Sequence, residues 1–245
     1  MLDVLKPLKI DRLKDGCVDQ LEALILSGQI GVKQKLPPER DLARQLGVSR
    51  PVVHDALVDL AAKGLISLIP RVGAVVNDFR THGSLALLTS LLNYRGGKLS
   101  PQLLDSLLAM RLLFETETAR LAADHRTDEQ INELREIHLR INNADPMDDA
   151  RLTRLDFEYH HQIAMASANL TYPMFLNSFK TVYIHLSGIF YQDHQVVPLV
   201  IDFHEDLIRA IENKNEILAA DIMRRMLTHG EEHLRAALVQ EGDRS

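Results

Sequence analysis

The stretch LPPERDLARQLGVSRPVVHDALVDLAAK, residues 36–63, predicts two short helices joined by a tight turn. Pro37 and Pro38 favour a helix start, because proline fixes φ and its missing N–H is not needed in a first turn. Gly47 predicts the end of the first helix, since glycine tolerates the left-handed backbone found at many helix ends. Ser49 predicts the cap of a second helix, with its hydroxyl oxygen accepting an orphan backbone N–H. This arrangement is typical of a helix-turn-helix, whose second helix enters a DNA major groove.

Two short β-prone runs follow the helix stop at Gly64. LISLI at residues 65–69 and AVV at residues 74–76 flank PRVG, which predicts a hairpin with a glycine at its tip. A small hairpin behind a helix-turn-helix makes a winged helix, in which Arg71 of the tip is expected to lie against a phosphate or in the minor groove. Residues 1–78 are therefore predicted to form a winged DNA-binding domain.

The motif and the hairpin together resemble the DNA-binding domain of the GntR family of bacterial transcription regulators. The family pattern runs L-P-x-E-R-x-L-A, then G-V-S-R-x-x-V-R-E-A-L-x-x-L-x-x-x-G-L, and the chain follows it nearly throughout. His54 and Asp55 depart from it, because the family usually has Arg and Glu there. The departure concerns which DNA sequence is bound and not the fold.

The resemblance and the position of the second helix indicate which residues contact DNA. Arg40 matches a family arginine that contacts a phosphate or a base. Arg50 has the geometry to donate two hydrogen bonds to guanine O6 and N7. Each of these residues alternatively binds phosphate alone, which positions the protein without specifying sequence. The predicted DNA-binding residues are Arg40, Ser49, Arg50, Pro51, Val52, His54, Arg71 and Gly73.

Length, composition and charge limit the classes of protein to which this chain can belong. A chain of 245 residues with 46% hydrophobic residues is long enough for two domains with cores of their own. The single cysteine, Cys17, forms no internal disulfide, which fits a cytoplasmic location. No apolar run approaches membrane-spanning length, so no membrane partner is expected. The net charge is −6, yet residues 1–80 hold 12 Lys and Arg against 10 Asp and Glu, so the first domain can approach phosphates.

From residue 85 to the end, apolar residues recur at helical spacing. Residues 79–84 are expected to form a linker, and residues 85–245 are predicted to form an all-α bundle of six or seven helices. The predicted fold class is thus mainly α: an N-terminal winged helix-turn-helix with a small β-hairpin, followed by a helical bundle.

Three stretches of the bundle resemble the FadR C-terminal domain, the helical effector domain of one GntR subfamily. They are LLAMRLLFETETARLAA at residues 107–123, LDFEYHHQIAMASANLTYPMFLNSF at 155–179 and DFHEDLIRAIENKNEILAADIMRRML at 202–227. The resemblance implies that residues 85–245 bind an effector and support a homodimer.

Many members of this subfamily hold a divalent metal with one Asp and three His, and this implies candidate ligands here. Asp156 and His160 lie four residues apart and so share a helix face, and His204 matches the next ligand. Met226 stands where the fourth ligand is expected, and a thioether is a poor ligand for such ions. His229, one turn further on, is a candidate substitute. Two interpretations stay open: a divalent metal such as zinc, or a polar cavity that binds effector or water directly.

Arg111 matches a family position at which arginine points into the effector cavity and pairs with a carboxylate. The alternative is a pair with Glu115, four residues on, along a solvated face. Tyr183 is expected to line the same cavity or to belong to the core. The predicted effector-binding residues are Arg111, Asp156, His160, His204 and Tyr183.

The predicted function is a ligand-responsive transcription regulator that binds a palindromic operator as a homodimer. A small carboxylate is favoured as its effector. A fatty acyl-CoA is the alternative, because PQLLDSLLAMR and NSFKTVY resemble the fatty-acid-responsive founder of the subfamily. A metal-dependent enzyme fused to a DNA-binding module is a remote alternative, since no separate general base has a spacing argument. The protein is therefore predicted not to be an enzyme.

Overall fold

The computed structural model describes residues 10–94 and 99–243. The chain divides into two compact units, Met1–Leu99 and Ser100–Ser245. Within the described residues, no helix is both long and apolar enough to cross a membrane.

The first unit is a winged helix-turn-helix, as predicted. Its helices and strands are α1 (Ile10–Leu26), α2 (Glu39–Leu46), α3 (Arg50–Ala62), β1 (Ile66–Ile69) and β2 (Gly73–Val76). The two strands are antiparallel, with Ile66 opposite Val76 and Ile69 opposite Gly73. Val53, Ala56, Leu57 and Leu60 on one face of α3 are buried in the core of this unit.

The turn between α2 and α3 has the predicted glycine stop but not the predicted side-chain cap. Gly47 ends α2 with a left-handed φ of 67°, and its N–H bonds the carbonyl of Ala43. Ser49 stands at the N-cap of α3 with extended backbone, but its side chain makes no capping hydrogen bond. Pro51 in the first turn of α3 removes one N–H that would otherwise need a partner.

Two further helices, α4 (Phe79–His82) and α5 (Leu87–Tyr94), follow the hairpin. Asp78 caps α4 by accepting a hydrogen bond from the N–H of Arg80. Helix α5 packs against α1, with Leu87 in the core of the first unit. The sequence predicts a linker at residues 79–84 and places α5 in the second domain. In the structure, α4 and α5 both belong to the first compact unit. The domain boundary at residues 79–84 remains a prediction.

The second unit is an all-helical bundle, as predicted. The α-helices of this unit, within the described residues, are α6 (Pro101–His125), α7 (Asp128–Asn142), α8 (Asp149–Ala166), α9 (Thr171–Ser178), α10 (Lys180–Phe190), α11 (Val197–Glu212) and α12 (Glu216–Asp243). A short 3-10 helix, His194–Val196, precedes α11. The spacing predicts one helix from residue 171 to about 191. In the structure, α9 ends and α10 begins at Phe179, whose ring is buried against Phe175.

Helices α6, α8, α11 and α12 surround the interior of the second unit. Helix α6 packs along α12 and α8, and α11 lies against α12, α7 and α6. The largest fully buried side chains include Tyr159 of α8 and Tyr191, which follows α10. Because tyrosine hydroxyls need hydrogen-bond partners when buried, these residues point to a polar site inside an otherwise apolar bundle.

Candidate functional site

The exposed surface at the start of α3 contains half of the residues predicted to contact DNA. Ser49, Arg50, Pro51 and His54 are exposed. Val52 is only 8% exposed and belongs to the core, so its side chain is not available to a base. The prediction for Val52 followed its sequence position at the helix front, but the helical turn directs it inward.

Glu39, the first residue of α2, joins two of the exposed side chains of α3. The Nε of Arg50 donates to Oε2 of Glu39 at 3.1 Å. Nδ1 of His54 lies 2.8 Å from the other oxygen, Oε1. The hydrogen bond from His54 lowers the pKa of Glu39, burial opposes it, and Arg50 adds to the lowering. Glu39 therefore orients both side chains, and the sequence did not single it out.

The remaining predicted DNA contacts are also exposed. The side chain of Arg40 keeps 86% of its surface accessible, and its Nε lies 3.8 Å from an oxygen of Asp41. In the hairpin tip, Arg71 and Gly73 are both exposed and both have a left-handed φ, of 64° and 104°. Arg71 therefore projects from a tightly turned wing with its charge free to meet a phosphate.

The second site lies inside the helical bundle, where Asp156, His160 and His204 meet. The first two come from α8 and the third from α11, and one potential ligand atom of each lies within 4.8 Å of the others. Oδ1 of Asp156 is 3.9 Å from Nε2 of His160 and 3.7 Å from Nε2 of His204. All three residues are buried, so the structure brings the predicted set together.

Two buried tyrosines hold the Asp156 carboxylate. Tyr183 donates to Oδ2 at 2.7 Å, and Tyr191 donates to Oδ1 at 2.9 Å. Burial raises the pKa of both hydroxyls well above the usual value, and the negative charge of Asp156 adds to this effect. Both tyrosines therefore stay protonated donors, and they hold the carboxylate in place.

Arg111 of α6 lies at the edge of the same site. Its Nε donates to Glu115 at 2.6 Å, its Nη2 donates to the Tyr183 hydroxyl at 2.9 Å, and its guanidinium lies 4.4 Å from the centre of the Tyr183 ring. The other Glu115 oxygen faces Nδ1 of His160. The Arg111–Glu115 pair thus forms, but inside the cavity and not on a solvated face.

Arg111 and Glu115 each stabilise the charged form of the other. Burial alone would raise the pKa of Glu115, but Arg111 and His160 outweigh burial and lower it to about 2. Burial likewise opposes the charge of Arg111, yet Glu115, Tyr183 and Asp156 raise its pKa above the usual value. Glu115 is therefore ionised and forms a buried charge pair with Arg111.

His204 has no hydrogen-bond partner for either ring nitrogen among the described residues, although it is fully buried. Its ring stacks on that of Tyr159 with centroids 3.8 Å apart, and the Tyr159 hydroxyl donates to the His204 carbonyl at 2.8 Å. Burial, with His160 and His138 nearby, lowers its pKa well below the usual value. The imidazole is therefore neutral, the form in which histidine binds a metal ion.

The residue at the position expected for a fourth ligand is poorly suited to bind a divalent metal ion. Met226 is buried and lines the cavity, so a thioether stands at that place. His229 does not join the three-residue group. Its ring instead lies 4.4 Å from that of His233 and 6.0 Å from that of Phe203, measured between centroids. The prediction that His229 substitutes for the missing ligand is therefore not supported by its placement.

A cavity of about 90 Å³ opens beside this group. Arg111, Glu115, Asp156, His160 and Tyr183 form its polar end. The rest of the wall is mostly apolar, with Ser187 and Glu231 as its polar members. The apolar side chains include Leu108, Phe175, Phe179, Leu186, Leu227 and Leu234. The minimum for a single water is on the order of 10–15 Å³, so the cavity has room for a small molecule.

The three buried side chains are able to hold a divalent ion. In a tetrahedral site with metal–ligand bonds of about 2.0–2.2 Å, two ligand atoms lie roughly 3.4 Å apart. The distances from Asp156 Oδ1 to Nε2 of His160 and of His204, 3.9 and 3.7 Å, are close to this value. Glu115 behind His160 forms the carboxylate–histidine arrangement that supports many metal ligands. Nε2 of His204 is a buried acceptor with no other partner described. Asp156 keeps free lone pairs beside its two tyrosine donors.

Comparison with known proteins gives the family of both regions. Residues 13–76 match the family described as bacterial regulatory proteins, gntR family, and residues 77–239 match the FadR C-terminal domain. The HTH-type transcriptional regulator Mce2R of Mycobacterium tuberculosis is 34% identical over 181 residues, 73% of each chain. The fatty acid metabolism regulator protein of Shewanella denitrificans is 28% identical over 191 residues, 77% of each chain.

A third relative is the HTH-type transcriptional repressor NanR of Salmonella newport, 30% identical over 188 residues, 70% of this chain and 64% of NanR. Among solved structures, that of Lar from Listeria monocytogenes aligns with a TM-score of 0.63 over 95% of this chain and 98% of that one, at 15% identity. This likeness shows the fold alone. Both regions match regulator families, so the chain is a DNA-binding regulator with an effector domain. It belongs to the GntR family of bacterial transcription regulators and carries a FadR C-terminal domain.

Proposed function

We propose that this regulator binds its operator through Arg40, the front of α3 and the wing, and that a small carboxylate in the α-bundle cavity changes its operator affinity. The observation that carries the effector proposal is the cavity of about 90 Å³ with a polar end and apolar walls. A ligand that fits must place a polar head beside Asp156 and Tyr183 and an apolar body along α9, α10 and α12.

The charge of the polar end supports a divalent metal as part of the effector site. Arg111 is neutralised by Glu115, so it offers no free positive charge to a carboxylate. Asp156, held by two tyrosine hydroxyls, offers no positive group either. Asp156, His160 and His204 would hold an ion such as zinc, which would supply the positive centre that a carboxylate needs.

The protein residues have separate roles in this proposal. Tyr183 and Tyr191 fix the orientation of Asp156, and Glu115 fixes that of His160. Arg111 supports Tyr183 and closes the edge of the cavity. Without a metal the same residues form a polar pocket, which suits a neutral hydrogen-bonding group better than an anion.

A fatty acyl-CoA is the second candidate effector, and the apolar walls and the Shewanella relative named for fatty acid metabolism favour it. The volume argues against it, because sites for larger ligands usually measure roughly 300–1,000 Å³, well above the volume of this cavity. An acyl-CoA therefore requires the helices lining the cavity to move apart.

We further propose that the regulator acts as a cytoplasmic homodimer on a palindromic operator. A single winged helix reads one half-site, and two-fold symmetry places two recognition helices about one DNA turn apart. Effector binding changes operator affinity only through a difference in affinity for the DNA-competent and the free states.

Elemental analysis tests the metal proposal. Chelator-treated protein is reloaded with Zn²⁺ and its metal content is compared with that of His204→Ala and of His125→Ala, a matched control at the exposed end of α6. We expect one zinc per chain in the wild type and the control and little in His204→Ala. Equal metal content in all three proteins contradicts the assignment of the ligands.

A thermal-shift screen of small carboxylates then tests the effector proposal. We expect a ligand that raises the melting temperature of the zinc-loaded protein and has little effect on the chelated protein. An acyl-CoA that stabilises the chelated protein more than any small carboxylate overturns the proposed effector class.

A further inference from the structure

His54 occupies a position of particular interest, because it replaces the usual family arginine on the recognition helix. Its side chain is 57% exposed, in the second turn of α3. One ring nitrogen, Nδ1, is already committed to Oε1 of Glu39 at 2.8 Å. The other nitrogen, Nε2, is therefore the atom left to meet DNA.

The partner of Nδ1 determines which nitrogen carries the proton. An ionised carboxylate only accepts hydrogen bonds, and the pKa of Glu39 is lowered by the hydrogen bond from His54 itself. Nδ1 must then be the donor. In a neutral imidazole only one nitrogen is protonated, so Nε2 carries a lone pair and no hydrogen.

Glu39 is itself held in place. Its second oxygen accepts the Nε of Arg50 at 3.1 Å, so each oxygen of the carboxylate has one donor from α3. With both oxygens engaged, the carboxylate does not turn freely, and the His54 ring keeps its orientation. The hydrogen-bonding character of Nε2 is thus set by a residue of the preceding helix.

We propose that His54 meets the DNA with Nε2 as a hydrogen-bond acceptor and so selects an amino base, adenine or cytosine, over a keto base, guanine or thymine. This inference rests on the proposed DNA-binding surface. In the major groove, the N6 amino group of adenine stands where guanine has the O6 acceptor, and the N4 amino group of cytosine stands where thymine has O4. An arginine at position 54 has the opposite preference, because it only donates.

Selection from a pool of randomised DNA duplexes tests the proposal, at about pH 8, where imidazole side chains are ordinarily neutral. The wild type, His54→Arg and His54→Ala are compared position by position. We expect one position per half-site at which the wild type favours an amino base roughly two- to tenfold, the usual scale of one hydrogen bond. His54→Arg should change that position to guanine, and His54→Ala should lose the preference there.

A base analogue then isolates the hydrogen bond. At the selected position, purine replaces adenine, or 2-pyrimidinone replaces cytosine, which removes only the amino group. Wild-type affinity should fall by the same two- to tenfold, and His54→Ala should bind both duplexes equally. Equal loss in both proteins means that another residue contacts the amino group and overturns the proposal.

Glu39→Gln tests the positioning role of Glu39. A glutamine amide offers His54 either a donor or an acceptor, so the protonation of Nε2 is no longer fixed. We expect the amino-base preference to relax at this one position while the preferences at other positions persist. If Glu39 only supports the fold, affinity falls equally for all sequences and the preference remains.

Arg50→Ala separates failure of this inference from failure of the proposed DNA-binding surface. If Arg50→Ala changes the selected sequences but His54→Ala changes none, α3 binds DNA and the proposal for His54 is wrong. If neither variant changes them, the proposed surface is wrong as well. A wild-type preference for guanine or thymine at the position that His54→Ala alters also overturns the proposal.

Discussion

Gly64, which ends α3, is a residue at which a single methyl group has a large predicted effect. Its φ is +79°, and a Cβ there would lie 1.9 Å from the carbonyl oxygen of His82. A left-handed backbone costs an L-residue roughly 1–2 kcal/mol, and the collision with a backbone atom adds to this. Gly64→Ala should therefore lower the free energy of unfolding by at least about 2 kcal/mol, measured by urea denaturation.

Gly188 provides the matched control. It lies in α10, and no atom lies within 4 Å of the position that its Cβ would occupy. Alanine is favoured over glycine inside a helix by roughly 0.5–1 kcal/mol, so Gly188→Ala should stabilise the protein slightly. A similar loss of stability in both variants would mean that the close approach of residues 64 and 82 is not the cause.

For single residues, the sequence predicts a role that depends on the residue's own backbone or its near neighbours in the chain. Gly47 is an example, because the turn that it makes depends on its own backbone. Glu39 and Glu115 are different, because their importance comes from partners on other turns or helices. Glu39 contacts residues 11 and 15 positions away, and no periodic pattern in the sequence marks such a contact. Val52 shows the converse: its position at the helix front does not reveal that its side chain is buried.

The start of α7 allows a prediction about a helix terminus. Thr127 Oγ1 accepts the N–H of Gln130 at 3.2 Å, and Gln130 Oε1 accepts the N–H of Thr127 at 2.9 Å, which makes a complete capping box. Thr127→Ala leaves the N–H of Gln130 without its side-chain partner and should cost about 1 kcal/mol. Thr181→Ala, at an exposed position inside α10, should cost nothing or stabilise slightly. Equal costs for the two changes would show that lost threonine packing, and not the cap, is responsible.

The start of α4 allows a prediction about pH. Hydrogen bonds from the side chain and the backbone of Arg80 lower the pKa of Asp78 from 3.8 to about 2. Because the folded pKa is below the unfolded one, the unfolded protein binds more protons between these values, and the stabilisation present above about pH 4 is lost as pH falls towards 2. Asp78→Asn keeps a capping oxygen but loses the charge. The difference in free energy of unfolding between wild type and variant should be constant from pH 7 to about pH 5 and should shrink below about pH 4. A difference that stays constant into acid would exclude the Asp78 charge as its source.

Sequence periodicity predicts the helices and the hairpin well but not where long helical segments break. The spacing is continuous from residue 171 to 191, yet α9 and α10 are separated at Phe179. The break lets the Phe179 ring pack on Phe175 at 4.7 Å and line the cavity, which is a tertiary effect. In the same way, the apolar face of α5 predicts a helix without indicating that it packs on α1. The metal-ligand positions were predictable because the resemblance supplied them. Tyr183 was expected at the cavity, but the hydrogen bonds by which it and Tyr191 hold Asp156 were not predictable, because they join residues far apart in the chain.

For the whole molecule, the unusual feature is a net charge of −6 in a protein that binds a polyanion. The charged residues are unevenly distributed along the chain. Residues 1–80 hold two more basic than acidic residues, so the excess of acidic residues lies in the remainder of the chain. Screening at physiological salt weakens interactions beyond about 8 Å. DNA affinity should therefore depend on the few cations that reach phosphates, and not on the total charge.

Replacement of Arg71 in the wing tests this directly. Asparagine tolerates the left-handed φ of 64° at this position, so Arg71→Asn removes the cation and keeps the turn. Each phosphate contact contributes about 0.9 to the slope of log K against log salt. The slope should therefore become shallower by about one unit per DNA-bound protomer, and affinity should fall about equally for all operator sequences. Arg224→Gln removes the same charge from an exposed position on α12 and should leave the slope unchanged. Equal changes in the two variants would mean that total charge governs binding and that the wing makes no phosphate contact.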